Sequence, residues 1–212
     1  MIITYQGGEF FKVQFGNTTL AFNPISKDSK LKSSRFGADI ALITMNHPDF
    51  NGIDQVSHGD IKPFAISGPG EYETKGVFIK GFLSKSNYSL SADEADGQKI
   101  NTIYLVSLEG MNICFLGALT STNITNSTKE ALEEIDILFV PIANKTLSPS
   151  DAYKFAISLE PKIIIPMHYD EASLKTFLKE GGEKVEPIDK LTLKKKDLEG
   201  KEGDIVVLAT NQ

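Results

Sequence analysis

Four short apolar stretches dominate this chain: Ala38–Thr44, Asn112–Leu116, Asp136–Pro141 and Lys162–Pro166. None is long enough for a buried helix, and each is bounded by polar or glycine residues, so each reads as a buried strand. Three of them stop abruptly at turns that carry unusual residues: Thr44-Met45-Asn46-His47-Pro48-Asp49, Leu116-Gly117-Ala118 and Met167-His168-Tyr169. In α/β proteins the loops at strand ends are where chemistry is placed. His47 and Asp49 are two residues apart, so in an extended turn both side chains point the same way.

The remaining segments fit around those strands. Met1–Tyr5, Phe10–Phe15 and Thr18–Phe22 are β-rich runs separated by Gly7-Gly8 and by a hairpin turn at Gly16-Asn17. Asn23–Phe36 is a polar, basic loop. Pro63–Ser67 and Val77–Leu83 read as strands, with Gly68-Pro69-Gly70 as a sharp backbone feature and Glu71–Gly76 as a turn or hairpin. Ser84–Lys99 is polar and acidic, with Asp93, Glu94 and Asp96, and reads as an exposed loop. Ile100–Ser107 and Asn112–Leu116 form a hairpin about Glu109-Gly110. The second half changes period. Ser127–Ile135 reads as a helix capped by Ser127 with Glu130 three residues on, and Ser148–Leu159 as a helix capped by Ser148 with Pro149 in its first turn. Glu171–Glu180 is an amphipathic helix ended by Gly181-Gly182. Leu191–Leu193 and Ile205–Leu208 close the chain as strands, and Lys194–Lys196 reads as a solvated face. A β-rich half followed by β/α units predicts one domain over residues 1–212, two packed sheets with helices outside.

Composition narrows the function classes. The chain has 212 residues, 41% hydrophobic and 24% charged, with a net charge of −6. That balance argues against nonspecific binding to nucleic acid or an anionic membrane, and no apolar run is long enough to span a bilayer. The start, MIITYQGGEFFKV, has no basic segment followed by an apolar one, and the lone Cys114 cannot form an internal disulfide. Both point to a cytoplasmic protein. Cys114 lies inside an apolar run and reads as a structural thiol. The expected partners are a small molecule or another protein.

A His/Asp/His set at converging strand ends is chemistry suited to zinc, manganese or iron. At these residues the sequence resembles the metallo-β-lactamase superfamily, in particular its branch of zinc-dependent hydrolases related to ascorbate-6-phosphate lactonase. The likeness runs over nearly the whole chain. It is carried by the opening MIITYQGGEFFKV, by GPGEYETKGVFIKGF (Gly68–Phe82), by NTIYLVSLEGMNICFLGAL (Asn101–Leu119), and by EIDILFVPI (Glu134–Ile142) together with EPKIIIPMHY (Glu160–Tyr169). It implies an α/β fold, a four-layer αββα sandwich.

The resemblance also implies a two-metal centre, and this chain departs from it. The family pattern T-H-x-H-x-D-H falls on Thr44-Met45-Asn46-His47-Pro48-Asp49-Phe50. Two histidine positions are therefore Met45 and Phe50. The bridging Asp position is Ala118, and no His occupies Ser84–Asn87. His47, Asp49 and His168 remain. The expectation is a degenerate metal site, a pseudoenzyme or ligand-binding protein, with no cofactor or one weakly held divalent metal, zinc first among the candidates. One alternative is a mononuclear hydrolase using His47, Asp49 and His168, with Asp49 catalytic. Another is an interaction or scaffold protein working through the acidic stretch Asp93–Asp96. Met45 and Phe50 are expected to fill the emptied pocket. Either surviving histidine can hydrogen-bond a neighbouring carboxylate such as Asp49, which can equally cap a helical turn over Asn51–Gln55. His58 and Lys145 are expected at the surface, and Glu71 and Tyr72 in a structural turn.

Overall fold

The computed structural model describes residues 1–88, 98–143, 145–182 and 184–211. Its described part contains thirteen strands in two sheets. The first six run as β1 (Ile2–Tyr5), β2 (Phe11–Phe15), β3 (Thr18–Phe22), β4 (Ile40–Leu42), β5 (Phe64–Ile66) and β6 (Gly70–Thr74). They are followed by β7 (Val77–Ser86), β8 (Lys99–Leu108), β9 (Met111–Phe115), β10 (Ile137–Pro141), β11 (Ile163–Met167), β12 (Leu191–Thr192) and β13 (Asp204–Ile205). The first sheet has the order β12-β1-β2-β3-β4-β5 and the second β13-β11-β10-β9-β8-β7-β6. The helices are α1 (Asn126–Ala131), α2 (Pro149–Ser158) and α3 (Glu171–Glu180).

Side-chain alternation sets the layers. Ile3, Tyr5, Phe11, Val13, Leu20 and Phe22 of the first sheet face Tyr104, Val106, Ile113, Phe115, Phe139 and Ile165 of the second. Aromatic rings carry the centre: Phe11 meets Phe139 edge-on at 4.6 Å, and Phe22 lies 4.9 Å from Phe115. Strands β10 and β11 are buried along their whole length because their other face packs on α2 and α3 through Leu138, Val140, Ile164, Phe155 and Phe177. The first sheet's outer face is covered more thinly. Phe10, Ala21, Ala41 and Ile43 lie under Ile25 of the loop after β3 and under Val56 of a 3₁₀ turn, Ile53–Val56. The αββα sandwich is thus present, with its fourth layer reduced to irregular chain and one short turn.

Several local expectations are corrected. Helix α1 is capped by Thr125, whose side chain accepts from Thr128 N–H, and it ends at Ala131, not at Ile135. Thr125 enters with extended backbone, as a cap must, whereas Ser127 is already helical. Strand β7 runs on to Ser86, so Ser84 and Ser86 are ladder residues rather than loop. Lys195, expected in solvent, reaches back to Asp136 Oδ2 at 2.8 Å. Strand β13 ends at Ile205, short of the expected Ile205–Leu208; beyond it, Leu208 forms an isolated parallel bridge to Ile188. Ser148 does cap α2, accepting from Asp151 N–H, and α3 spans Glu171–Glu180 as expected.

Strands β7 and β9 both run antiparallel to β8, and β9, β10 and β11 are parallel. The C-terminal ends of β7, β9 and β11 therefore lie along one edge of the second sheet. Thr44, just after β4, joins that edge because its carbonyl accepts from Thr102 N–H at 2.8 Å.

Candidate functional site

Two fully buried asparagines hold the strand ends together. Asn23 Nδ2 donates to Glu9 Oε2 at 2.8 Å and to Thr44 Oγ1 at 2.9 Å, while its Oδ1 accepts from Thr44 N–H at 2.8 Å. Asn101 Nδ2 donates to Ser84 Oγ and to the Leu116 carbonyl, and its Oδ1 accepts from Ala118 N–H. Gly117 makes the bend between these bonds possible: its φ is +61°, and a Cβ there would lie 2.6 Å from Asn101 and Thr44 atoms. Each amide is satisfied on both its oxygen and its nitrogen, which is what allows it to be buried at no net loss.

On this frame sit His47, Asp49 and His168, brought to one place as expected. His168 has a φ of +53°, unusual for a residue with a side chain, and its N–H donates to the Gly8 carbonyl at 2.7 Å. That conformation turns the ring toward Glu9, whose Oε1 lies 2.9 Å from His168 Nδ1. Glu9 is wholly buried. A carboxylate acceptor at Nδ1 places a proton on that nitrogen and directs Nε2 the other way.

Nε2 faces Tyr88. The Tyr88 hydroxyl is 3.3 Å from His168 Nε2 and donates to Asp49 Oδ2 at 2.8 Å. The other Asp49 oxygen accepts from Ser29 Oγ. Asp49 thus pairs with Tyr88 and Ser29 and does not cap the Ile53–Val56 turn, whose N-cap is Gly52 with no side-chain bond. His47 Nδ1 accepts from Asp49 N–H at 3.2 Å and lies 3.5 Å from Asp49 Oδ2, whereas the carboxylate partner of His168 is Glu9. Burial lowers the His47 pKa below its ordinary value; Lys99 and His168 push it the same way and Asp49 opposes them.

Around these polar groups Met45, Phe50, Tyr88 and Ala118 form one buried cluster. The Tyr88 ring lies 5.0 Å from Phe50, 5.2 Å from His168 and 5.3 Å from His47. Met45 and Phe50 do fill this space, as their apolar chemistry predicted. Among the described residues, no group of three His, Cys, Asp or Glu side chains is arranged so as to hold a metal ion. Zinc takes three or four N, O or S ligands at about 2.0–2.2 Å for N and O, and Met45, Phe50 and Ala118 supply neither nitrogen nor oxygen from their side chains.

The other residues singled out fall into ordinary roles. His58 and Lys145 are exposed. Glu71 pairs with Lys80, and Tyr72 hydroxyl reaches the Gly68 and Pro69 carbonyls, so both belong to the β6–β7 hairpin. Cys114 is fully buried, and burial pushes its thiol well above the ordinary range, as suits a structural residue. Asp93–Asp96 lie outside the described residues.

Glu9, Asn23, Asn101 and Tyr88 were not singled out from the sequence. Glu9 carried a signal: a lone carboxylate between Gly7-Gly8 and Phe10-Phe11 is hard to place except paired and buried. Tyr88 stands one residue beyond Ser84–Asn87, the window that the family pattern marks for a histidine.

Comparison with known proteins agrees with this fold. Residues 2–168 match the model of the β-lactamase superfamily domain. A UPF0173 metal-dependent hydrolase of Listeria innocua is 28% identical over 198 residues, covering 80% of this chain and 86% of that protein. One from Lysinibacillus sphaericus is 27% identical over 197 residues with the same coverage. Among solved structures, a protein of Thermotoga maritima described as a zinc-dependent hydrolase of the metallo-β-lactamase superfamily superposes with a TM-score of 0.77 at 27% identity, over 99% of both chains. An isothiocyanate hydrolase from Delia radicum gut bacteria shares the fold at 14% identity, with a TM-score of 0.62.

Proposed function

Starting from the fact that the chain belongs to the β-lactamase superfamily, a family whose metal-dependent hydrolases imply a divalent cation, we propose that this member has given up two-metal hydrolysis and acts by binding. The observation that carries this reading is the buried cluster of Met45, Phe50, Tyr88 and Ala118 between the three strand ends. Apolar side chains occupy the volume, and the donor set does not fit a dinuclear centre. Two cations a few ångströms apart need a bridging anion and several ligands each to offset their repulsion. Ala118 offers no bridge.

What remains is a braced site at the sandwich edge: Asn23 holds Glu9, Glu9 holds His168, and Tyr88 and Ser29 hold Asp49 beside His47. Such a site suits recognition of a small molecule or a partner loop through its rim. Metal analysis of the purified protein tests the reading. The expected result is substoichiometric zinc, manganese and iron, no rise in Tm on adding each metal, and no hydrolysis of lactone, phosphodiester or β-lactam probes with metal present. A ligand that binds only the native state must raise Tm, so a flat response is informative. One equivalent of metal that disappears in His168→Ala would overturn the reading in favour of a mononuclear hydrolase on His47, Asp49 and His168.

A further inference from the structure

Strand β6 ends the second sheet, and among the described residues it has a neighbour on one side only, β7. The turn between the two decides which of its backbone groups are already used. Lys75 and Gly76 form a two-residue loop with φ of +51° and +73°, the I′ geometry of tight hairpins. Its closing pair, Thr74 and Val77, is a hydrogen-bonded pair, and bonded and non-bonded pairs then alternate along the ladder. Thr74 and Tyr72 therefore turn their N–H and C=O groups toward β7. Those of Glu71 and Glu73 point outward from the sheet edge.

The side chains give this edge a pattern. Glu71 and Glu73 are exposed on the outer face, Glu71 3.4 Å from Lys80 and Glu73 with Phe78 as its cross-strand neighbour. Tyr72 between them turns inward and packs at the margin of the core. Strand β5, an edge of the first sheet, lies on the same side of the sandwich. Residues 67–69 alone separate it from β6, and Lys75 pairs with Asp39, whose carbonyl accepts from Phe64 N–H. Phe64 of β5 is 50% exposed and Phe78 of β7 is 54% exposed, so apolar surface lies on both sides of the acidic edge.

We propose that β6 is a docking edge for an extended segment of another protein with a basic–apolar–basic pattern, Lys or Arg on each side of one apolar residue. Added as a further strand, the segment sets its two bases beside Glu71 and Glu73. Its apolar residue falls beside Tyr72, on the inner face toward Phe64. The outward N–H and C=O groups of Glu71 and Glu73 supply the ladder bonds. The pattern reads the same in both directions, so the match holds for either strand orientation. A second copy of this edge is a poor occupant. An antiparallel pair centred on Tyr72 sets each Glu71 against a Glu73, and like charges directly opposite are destabilising. The glutamates that keep the edge from pairing with itself thus select a cationic strand.

The test titrates ¹⁵N-labelled protein with a capped Thr-Val-Lys-Ile-Lys-Val-Thr peptide, and with the same peptide carrying Glu for Lys, while amide shifts are followed. The lysine peptide is expected to shift the Glu71 and Glu73 amides saturably and to bind about tenfold or more tighter than the glutamate peptide. The double variant Glu71→Lys/Glu73→Lys should reverse that preference. Two single variants separate strand addition from charge attraction. Glu73→Val drops one charge but keeps the outward N–H, so the lysine peptide should weaken about threefold. Glu73→Pro removes that N–H as well, at no cost in bonds to β7, so it should melt within a few degrees of wild type and show no saturable binding. The inference is overturned if the shifts centre outside β6, if the double variant keeps the wild-type preference, or if the valine and proline variants bind alike. No shift at about 5 mM lysine peptide overturns it too.

Discussion

A Cβ placed on Gly117 would lie 2.6 Å from Asn101 Oδ1 and from Thr44 Cβ and Oγ1, at a backbone φ of +61°. Two penalties therefore coincide there, a left-handed backbone and a collision with two buried, hydrogen-bonded neighbours. Gly110 separates them: its φ is +69°, but a Cβ would meet nothing within 4 Å. Gly110→Ala should cost about 1–2 kcal/mol, the backbone penalty alone. Gly117→Ala should cost about 3 kcal/mol or more, because neither Asn101 nor Thr44 can yield without breaking bonds to Leu116, Ala118 or Asn23. Urea denaturation of the two variants checks the difference, and equal losses would mean the asparagine frame is softer than its bonds imply. The same residues explain what could be read from the sequence at this scale. His47, Asp49, His168, Met45, Phe50 and Ala118 are legible because a strand end and a family pattern fix their position. Asn23, Asn101 and Tyr88 are not, because a buried amide or phenol and a surface one look alike until the partners across two sheets are known.

At the scale of elements, the four apolar stretches do become strands, because runs of Ile, Leu, Val and Phe leave a short segment no other way to bury both faces. Boundaries are less legible. The cap of α1 depends on which of Ser127 and Thr125 has extended backbone, a matter settled by the approach of the preceding loop. The role of Lys195 depends on a carboxylate 59 residues away. That carboxylate, Asp136, sits at the entry to β10 and is almost wholly buried. Its Oδ1 accepts from Lys162 Nζ at 2.7 Å, beside the start of β11, and its Oδ2 accepts from Lys195 Nζ and from Asn112 N–H of β9, each at 2.8 Å. Burial alone would raise its pKa, but the two lysines and the amide outweigh it and hold the carboxyl below the ordinary range. The sign follows. A carboxylate with a lowered native pKa adds stability above its unfolded value, near 3.9, and that share is lost as pH falls from there through the native pKa. Asp136→Asn should lose about 2 kcal/mol at neutral pH, since both lysines are partly solvated and can rehydrate. Its stability should then fall less steeply than wild type's below pH ~4. Parallel acid limbs for the two proteins would show that the lysines add nothing to the native carboxylate.

For the whole molecule, the question is whether the two sheets can come apart. Each has its own outer covering: irregular chain on the first sheet, helices α2 and α3 on the second. The site lies where the sheet edges meet, with Glu9, Asn23, Thr44 and Asp49 from the first-sheet side and Tyr88, Ala118 and His168 from the second. Its geometry therefore depends on the sheets holding their relative position. What holds them is the aromatic centre, in which Phe139 of the second sheet contacts Phe11 at 4.6 Å and Phe22 at 6.1 Å, both from the first, and Phe115 of its own sheet at 5.5 Å. Phe139 is fully buried. Phe139→Ala removes ring area from both sheets at once and leaves a cavity that neither can fill without moving toward the other. The loss should be about 3–5 kcal/mol. The consequence at this scale is cooperativity. If the sheets stand only on each other, then amide exchange should speed up together in β2 and β3 on one side and in β9 and β10 on the other, and the far- and near-ultraviolet melting curves should still coincide. If exchange rises in one sheet only, the outer coverings stabilise the sheets separately, and the site at their junction would open before either sheet unfolds.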